Sequence, residues 1–175
     1  MPTHAILRPH SGEYAPYYEP YIAAVPDGDL LELLERDLAD VVGLIRATPE
    51  SRGTFRYEPD KWSVNDVINH IIDAERIYTY RALRIARGDQ TPLPGWDENV
   101  YAVRAGADHR TFLELSRELE HVRYSAIDLF RSLPADTFAA TGIANEVTVT
   151  VRALAYILAG HARHHVRMLR ERYGL

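Results

Sequence analysis

Hydrophobic side chains recur with helical spacing in four stretches of the chain, each as a stripe that advances by steps of three and four residues. The four stripes are Leu31, Leu34, Leu38, Val41 and Ile45; Val64, Val67, Ile71, Ala74, Tyr78 and Ala82; Phe112, Leu115, Leu119, Val122, Ala126, Leu129 and Leu133; and Val151, Leu154, Leu158, His161, His165, Met168 and Arg172. They predict four amphipathic helices that share one core.

Capping residues and breakers mark where these helices begin and end. The first helix is predicted to begin with a capping-box arrangement at Asp29 and Glu32 and to end at about Thr48, and the second to begin at the N-cap Ser63, with Asp66 at the reciprocal position, and to end at Gly88. The third is predicted to run from a box at Thr111 and Glu114 to Pro134, and the fourth from near Thr148 or Thr150 to Gly174. Four such helices predict an all-α four-helix bundle with coiled-coil-like packing.

The connections 49–62, 89–110 and 134–147 are long for a minimal bundle, and loops of that length are usually functional or are crossovers. Residues 27–175 are predicted to form the bundle domain. Residues 1–26, rich in Tyr and Pro, are predicted to form an extended arm lying on that body. The alternative is an arm that packs on a second subunit, and a homodimer is expected.

Composition narrows the chemistry. A net charge of −5 gives no cation excess for nucleic acid or an anionic membrane. The absence of Cys excludes disulfides, thiolate metal sites and a cysteine nucleophile, so metal chemistry must come from His and carboxylates. No basic leader with an apolar run and no apolar stretch of about 18 residues is visible, which predicts a soluble, cytoplasmic protein.

His161 and His165 lie one helical turn apart in the apolar seam of the fourth predicted helix. This spacing brings two imidazoles within reach of one metal ion. The alternative is a pair of core histidines hydrogen-bonded to carboxylates or backbone. His164 is interpreted as a flanking residue near the site. The remaining histidines apart from His70, namely His4, His10, His109 and His121, are interpreted as solvated.

His70 borders the interior face of the second predicted helix, about 10 Å from its start, and the histidine pair lies about 15 Å from the end of the fourth. These heights agree only if the two helices are antiparallel. A crossover over 89–110 gives that arrangement, with up-down-down-up order. Trp96, Asp97, Asn99, Tyr101 and His109 are then candidate walls of a pocket; the alternative for this segment is a turn-rich loop anchored by its aromatics.

Three strings, WSVNDVINHIIDAE, LPGWDENVY and AGHARHHVRMLRERY, resemble the DinB-like superfamily, also called DinB/YfiT, over residues 27–173. The resemblance implies an up-down-down-up four-helix bundle with a divalent metal held by three histidines, here His70, His161 and His165. The wider superfamily includes thiol S-transferases, thiol-dependent isomerases and a domain of sulfoxide synthases, so it implies a site more firmly than a substrate.

Imidazole ligands suit zinc, nickel or iron(II), and three of them leave coordination positions open. We expect a small-molecule substrate. The resemblance favours a transferase that adds a low-molecular-weight thiol to an electrophile. The sulfur must then arrive with the substrate, because the chain has no Cys. The alternatives are a metal-dependent hydrolase and a non-catalytic metal-binding bundle. Asp97, Tyr101 and His164 are the candidate catalytic residues.

Overall fold

A computed structural model describes residues 5–175, so His4 and the first four residues of the predicted arm lie outside the described residues. The helices are α1 (Glu19–Ala23), α2 (Leu30–Ala47), α3 (Val64–Ala86), α4 (Glu98–Ala105), α5 (Phe112–Ser132) and α6 (Val151–Glu171), and the strands are β1 (Thr141–Ala144) and β2 (Val147–Thr150). The four long helices correspond to the four predicted stripes.

The capping signals place the helix starts well. Ser63 and Thr111 each form the full reciprocal box with the carboxylate three residues later. Asp29 caps α2 by accepting from two backbone N–H groups, but the reciprocal contact from Glu32 is not formed, so the box predicted there is wrong. Thr150 caps α6 through the backbone N–H of Ala153.

The ends of the long helices meet in a fixed pairing. The Tyr173 hydroxyl, just after α6, donates to the carbonyl of Trp62, just before α3, at 2.8 Å. Arg131 near the end of α5 reaches Glu35 near the start of α2 at 2.8 Å. Two hydrophobic clusters, one toward each end of the bundle, both draw on all four helices. The start of α3 therefore lies beside the end of α6.

Buried positions on α5 are displaced from the predicted stripe. Val122 and Leu129 are only half-buried, whereas Arg123 and Ile127 are buried instead. The Arg123 guanidinium donates from Nε to both carboxylate oxygens of Glu75, at 3.0 and 2.9 Å. The central layer of the bundle thus contains a fully buried ion pair rather than hydrocarbon alone.

A hairpin corrects the all-α prediction, because residues 141–150 were expected to be loop and helix start. β1 and β2 pair antiparallel from Thr141 opposite Thr150 to Ala144 opposite Val147. The β-branched run of β2 favours a strand. Asn145 and Glu146 both take positive φ, 52° and 65°, at the turn between the strands, as two-residue hairpin turns of the primed type require.

The connection between α3 and α5 is ordered as well. Leu93 pairs with β1 through two backbone bonds of 2.9 Å, to Ile143 and from Asn145, and α4 follows. The predicted turn-rich connection therefore contains a helix and is fastened to the hairpin. Within residues 5–175, no helix is long and apolar enough to span a membrane.

The described part of the N-terminal arm packs on its own chain and is not wholly extended. It contains α1, which lies against α6. Gly160 makes the contact possible, since a Cβ there would lie 1.9 Å from the carbonyl oxygen of Tyr21. Arg8 fastens the segment by donating to the carbonyls of Ile22 and Val25 at 2.9 and 2.7 Å. The close approach brings the arm's tyrosines to the middle of α6.

Candidate metal centre

Three histidine side chains meet between α3 and α6. The Nε2 atom of His161 lies 2.9 Å from that of His70 and 3.2 Å from that of His165. All three residues are buried, with exposed fractions of 8% or less. His70 comes from the start of α3, and the other two are one turn apart in the middle of α6. The structure thus brings together the three histidines singled out from the sequence.

Burial keeps these imidazoles neutral. It lowers the pKa of His70 to about 4, assisted by the nearby His164. Burial also holds the pKa of His161 and of His165 well below the ordinary value, with the neighbouring histidines adding to the effect. Neutral imidazoles retain the lone pairs that bind metal ions.

Hydrogen bonding alone does not satisfy the cluster. A neutral ring nitrogen carries either one N–H or one lone pair, so the Nε2 of His161 cannot bond fully to both neighbours. Among residues 5–175, the buried Nδ1 atoms of His70 and His165 have no partner. The carboxylates beside His70 are engaged elsewhere, Asp66 with the N-cap and Asp73 with Asn69. The alternative of core histidines bonded to carboxylate or backbone has no such contact to support it at these two Nδ1 atoms.

A divalent cation fits the three Nε2 atoms. Nitrogen ligands lie about 2.0–2.1 Å from zinc, so two of them in tetrahedral geometry are about 3.3 Å apart. The separations of 2.9 and 3.2 Å around His161 are close to that value. The donor set of three neutral imidazoles suits zinc, nickel or iron(II). Coordination through all three would satisfy the nitrogens that face the centre.

The centre lies in a cavity of about 340 Å³, which is large enough for a small molecule. Its lining is Tyr17, Tyr18, Tyr21, Trp62, His70, Tyr78, Arg81, Trp96, Glu98, Asn145, His161, His164 and His165. Trp96 stacks on His70 at 5.4 Å with planes 17° apart, and Trp62 lies 4.7 Å from the same ring. Aromatic rings thus fix the His70 imidazole.

Tyrosines cover the α6 side of the centre. The rings of Tyr21 and Tyr78 lie 5.4 and 5.6 Å from that of His161. Burial raises the pKa of both phenols above the ordinary value, so both hydroxyls stay protonated at neutral pH. They can donate hydrogen bonds to a molecule in the cavity.

The three candidate catalytic residues occupy different places. His164 lines the cavity, half-buried, with its ring 5.0 Å from that of His165. The Asp97 carboxylate is exposed and caps α4 by accepting from two backbone N–H groups. Tyr101 packs against Trp96 at 5.1 Å and lies outside the cavity lining. Only His164 of the three therefore borders the space beside the histidines.

The other predicted wall residues divide between two places. Trp96 lines the cavity, whereas Asn99 and His109 line an adjoining groove of about 570 Å³. Sequence reasoning missed several cavity residues, namely the arm tyrosines, Trp62, Tyr78, Arg81, Glu98 and Asn145. The cluster of tyrosines near the N-terminus was a usable signal. Asn145 gave none, because only the pairing of β1 with Leu93 brings the hairpin turn to the cavity.

A sequence model of the DinB superfamily matches residues 33–169, a range that includes all three histidines. The chain belongs to the DinB superfamily. A search among curated proteins gives no match. Among solved structures, this superfamily member is similar to YfiT from Bacillus subtilis, with a TM-score of 0.74 and 18% identity over 94% of this chain and 95% of that one. YfiT is described as a probable metal-dependent hydrolase with an unusual four-helix bundle topology.

Proposed function

We propose that this chain is a metal-dependent hydrolase whose divalent ion is held by the Nε2 atoms of His70, His161 and His165. The observation that carries the proposal is the convergence of three buried, neutral imidazoles at the wall of a cavity of small-molecule size. When bound by these three imidazoles, a divalent ion would supply Lewis acidity and a lower pKa for water, as hydrolysis requires. The description of YfiT supports the same reaction class.

The chain's own groups give the remaining parts of the proposed mechanism. Burial and the nearby Arg167 lower the pKa of His164, so its imidazole is neutral at pH 7 and can accept a proton in the cavity. The hydroxyls of Tyr21 and Tyr78 can orient a polar substrate group by donating to it. Trp62 and Trp96 shield the His70 side from water. Roles for Asp97 and Tyr101 stay predictions.

The proposal includes the up-down-down-up helix order predicted from the sequence. The pairing of the end of α6 with the start of α3, and of the end of α5 with the start of α2, supports that order. Antiparallel α3 and α6 set His70 level with the α6 pair. A small-molecule substrate, a cytoplasmic location and a homodimer stay predictions; a light-scattering mass near 20 kDa would exclude the dimer.

Metal analysis of protein purified without a histidine tag tests the centre. We expect about one equivalent of zinc, nickel or iron in the wild type, and a large loss of metal in His161→Ala. His121→Ala, an exposed histidine on α5, is the matched control and should retain the metal. Substoichiometric metal in the wild type after loading, or full metal in His161→Ala, would refute the proposed centre.

Activity assays test the reaction class. The metal-loaded protein should hydrolyse members of a panel of small esters and amides, and His165→Ala should lose that activity. Thiol transfer, which the sequence resemblance favoured, is tested by incubation with low-molecular-weight thiols and an aryl halide. Metal-dependent conjugation without hydrolysis would replace the proposed reaction with transfer. Full metal occupancy with neither activity would favour a non-catalytic binding bundle.

A further inference from the structure

The cavity contains a buried cation that has no counter-ion among the residues the structure describes. Arg81 lies on α3, three residues after Tyr78, and is 3% exposed. One guanidinium nitrogen donates to the carbonyl of Pro94 at 2.7 Å. No carboxylate among residues 5–175 forms an ion pair with it, and the sequence places no Asp or Glu before residue 5. Within the described part of the chain, the positive charge of Arg81 is therefore not neutralised by an ion pair.

The contrast with Arg123 shows that this is unusual within the molecule. Arg123 is also buried, but its guanidinium donates hydrogen bonds to both carboxylate oxygens of Glu75 and to the carbonyl of Leu34. A buried charge is costly unless it is paired and hydrogen-bonded. Arg81 has five N–H donors and a single backbone acceptor for them among the described residues.

The surroundings of Arg81 are suited to an anion. Tyr18 lines the same cavity as Arg81. Burial raises the pKa of the Tyr18 hydroxyl, and the Arg81 charge opposes that rise. Tyr78 is buried and also feels the Arg81 charge. A guanidinium beside phenolic hydroxyls offers several hydrogen-bond donors and no negative charge. Glu98 lines the cavity too, but it is exposed and makes no ion pair with Arg81.

We propose that Arg81 binds a carboxylate group of the substrate, so that the substrate class is a small carboxylic acid with an apolar or aromatic body. A planar guanidinium matches a carboxylate through two parallel hydrogen bonds. The same cavity holds Trp62, Trp96 and the histidine centre, so a bound acid can place its body among the rings. This inference rests on the proposed function only in taking the cavity as the active site.

Binding of phenylacetate and its neutral amide, phenylacetamide, tests the inference. Calorimetric titration is done on the full chain, both zinc-loaded and metal-free. The metal-free measurement excludes direct contacts between the carboxylate and the metal. We expect the wild type to prefer the acid in both forms. Arg81→Gln should weaken phenylacetate binding by about tenfold or more, as for a lost charged hydrogen bond, without changing phenylacetamide binding.

Arg84→Gln is the matched control, because Arg84 lies one turn further on α3 and pairs at the surface with Asp89. It should bind both probes as the wild type does, and Arg81→Lys should lose less affinity than Arg81→Gln. If Arg81→Gln has a much lower melting temperature than the wild type, two other measurements test the inference: the preference of the wild type for the acid over the amide, and the affinity of Arg81→Lys for the acid.

Equal binding of acid and amide by the metal-free wild type, or equal acid affinity in Arg81→Gln and Arg84→Gln, would overturn the inference. Failure of the proposed function gives a different result: the metal-free chain keeps its preference for the acid, but no ester is hydrolysed after metal loading. The two proposals therefore fail separately.

Discussion

The buried ion pair between Glu75 and Arg123 gives the sharpest stability test. Both side chains are 2% exposed or less, and Arg123 is the only described partner of the Glu75 carboxylate. Arg123→Met leaves a carboxylate buried and unpaired in the centre of the bundle. Breaking such a pair costs about 3–5 kcal/mol. For a domain of this size, that loss lowers the melting temperature by about 6–20 °C.

The double variant separates the cost of an orphaned charge from the worth of the pair. Replacing a buried pair with apolar residues of similar volume is often neutral or stabilising. We expect Glu75→Leu with Arg123→Met to lie within about 2 kcal/mol of the wild type, far from the sum of the single losses. Urea unfolding followed by circular dichroism measures all four free energies.

An exposed pair of the same kind supplies the control. Arg131 and Glu35 are 45% and 49% exposed and join α5 to α2 at 2.8 Å. Arg131→Met should cost less than about 1 kcal/mol, because water solvates both charges after the break. If Arg123→Met costs no more than Arg131→Met, or if the single losses simply add in the double variant, the reasoning from burial is wrong.

Three further outcomes are expected. Gly160→Ala should destabilise the fold by about 1–3 kcal/mol, because its Cβ would overlap the Tyr21 carbonyl; Gly43→Ala, in open space on α2, should instead be neutral or stabilising in the same urea titration. Arg152 lowers the pKa of Glu13 from 4.5 to about 2. Glu13→Gln should therefore be less stable than the wild type above pH 4.5, and this difference should disappear as the pH falls through about 2. A pH-independent difference would contradict this. Adding zinc to metal-free protein at about 100 times its Kd should stabilise it by about 2.7 kcal/mol, and a melting temperature unchanged by zinc would count against the centre.

The sequence by itself determined the four long helices, their capped starts and the family. Helical periodicity and capping boxes are local signals, so they can be recognised without knowing which elements pack against each other. It also singled out His161 and His165, because imidazoles in an apolar seam need a partner. His70 joined them through the heights of the predicted helices and the resemblance to the DinB-like superfamily. The burial of Arg123 was not predicted, because a charged residue is normally assigned to the surface unless its counter-ion is known.

Tertiary structure alone decided the cavity. The hairpin at 141–150 is held at the cavity by the pairing of β1 with Leu93, a contact distant in sequence. The tyrosine arm becomes a wall because Gly160 admits its backbone onto α6. Arg81 becomes a buried cation with no ion pair among residues 5–175, because the elements packed around it there bring no carboxylate to its guanidinium. Each depends on groups far apart in the chain meeting at one place, which local periodicity and propensity do not encode.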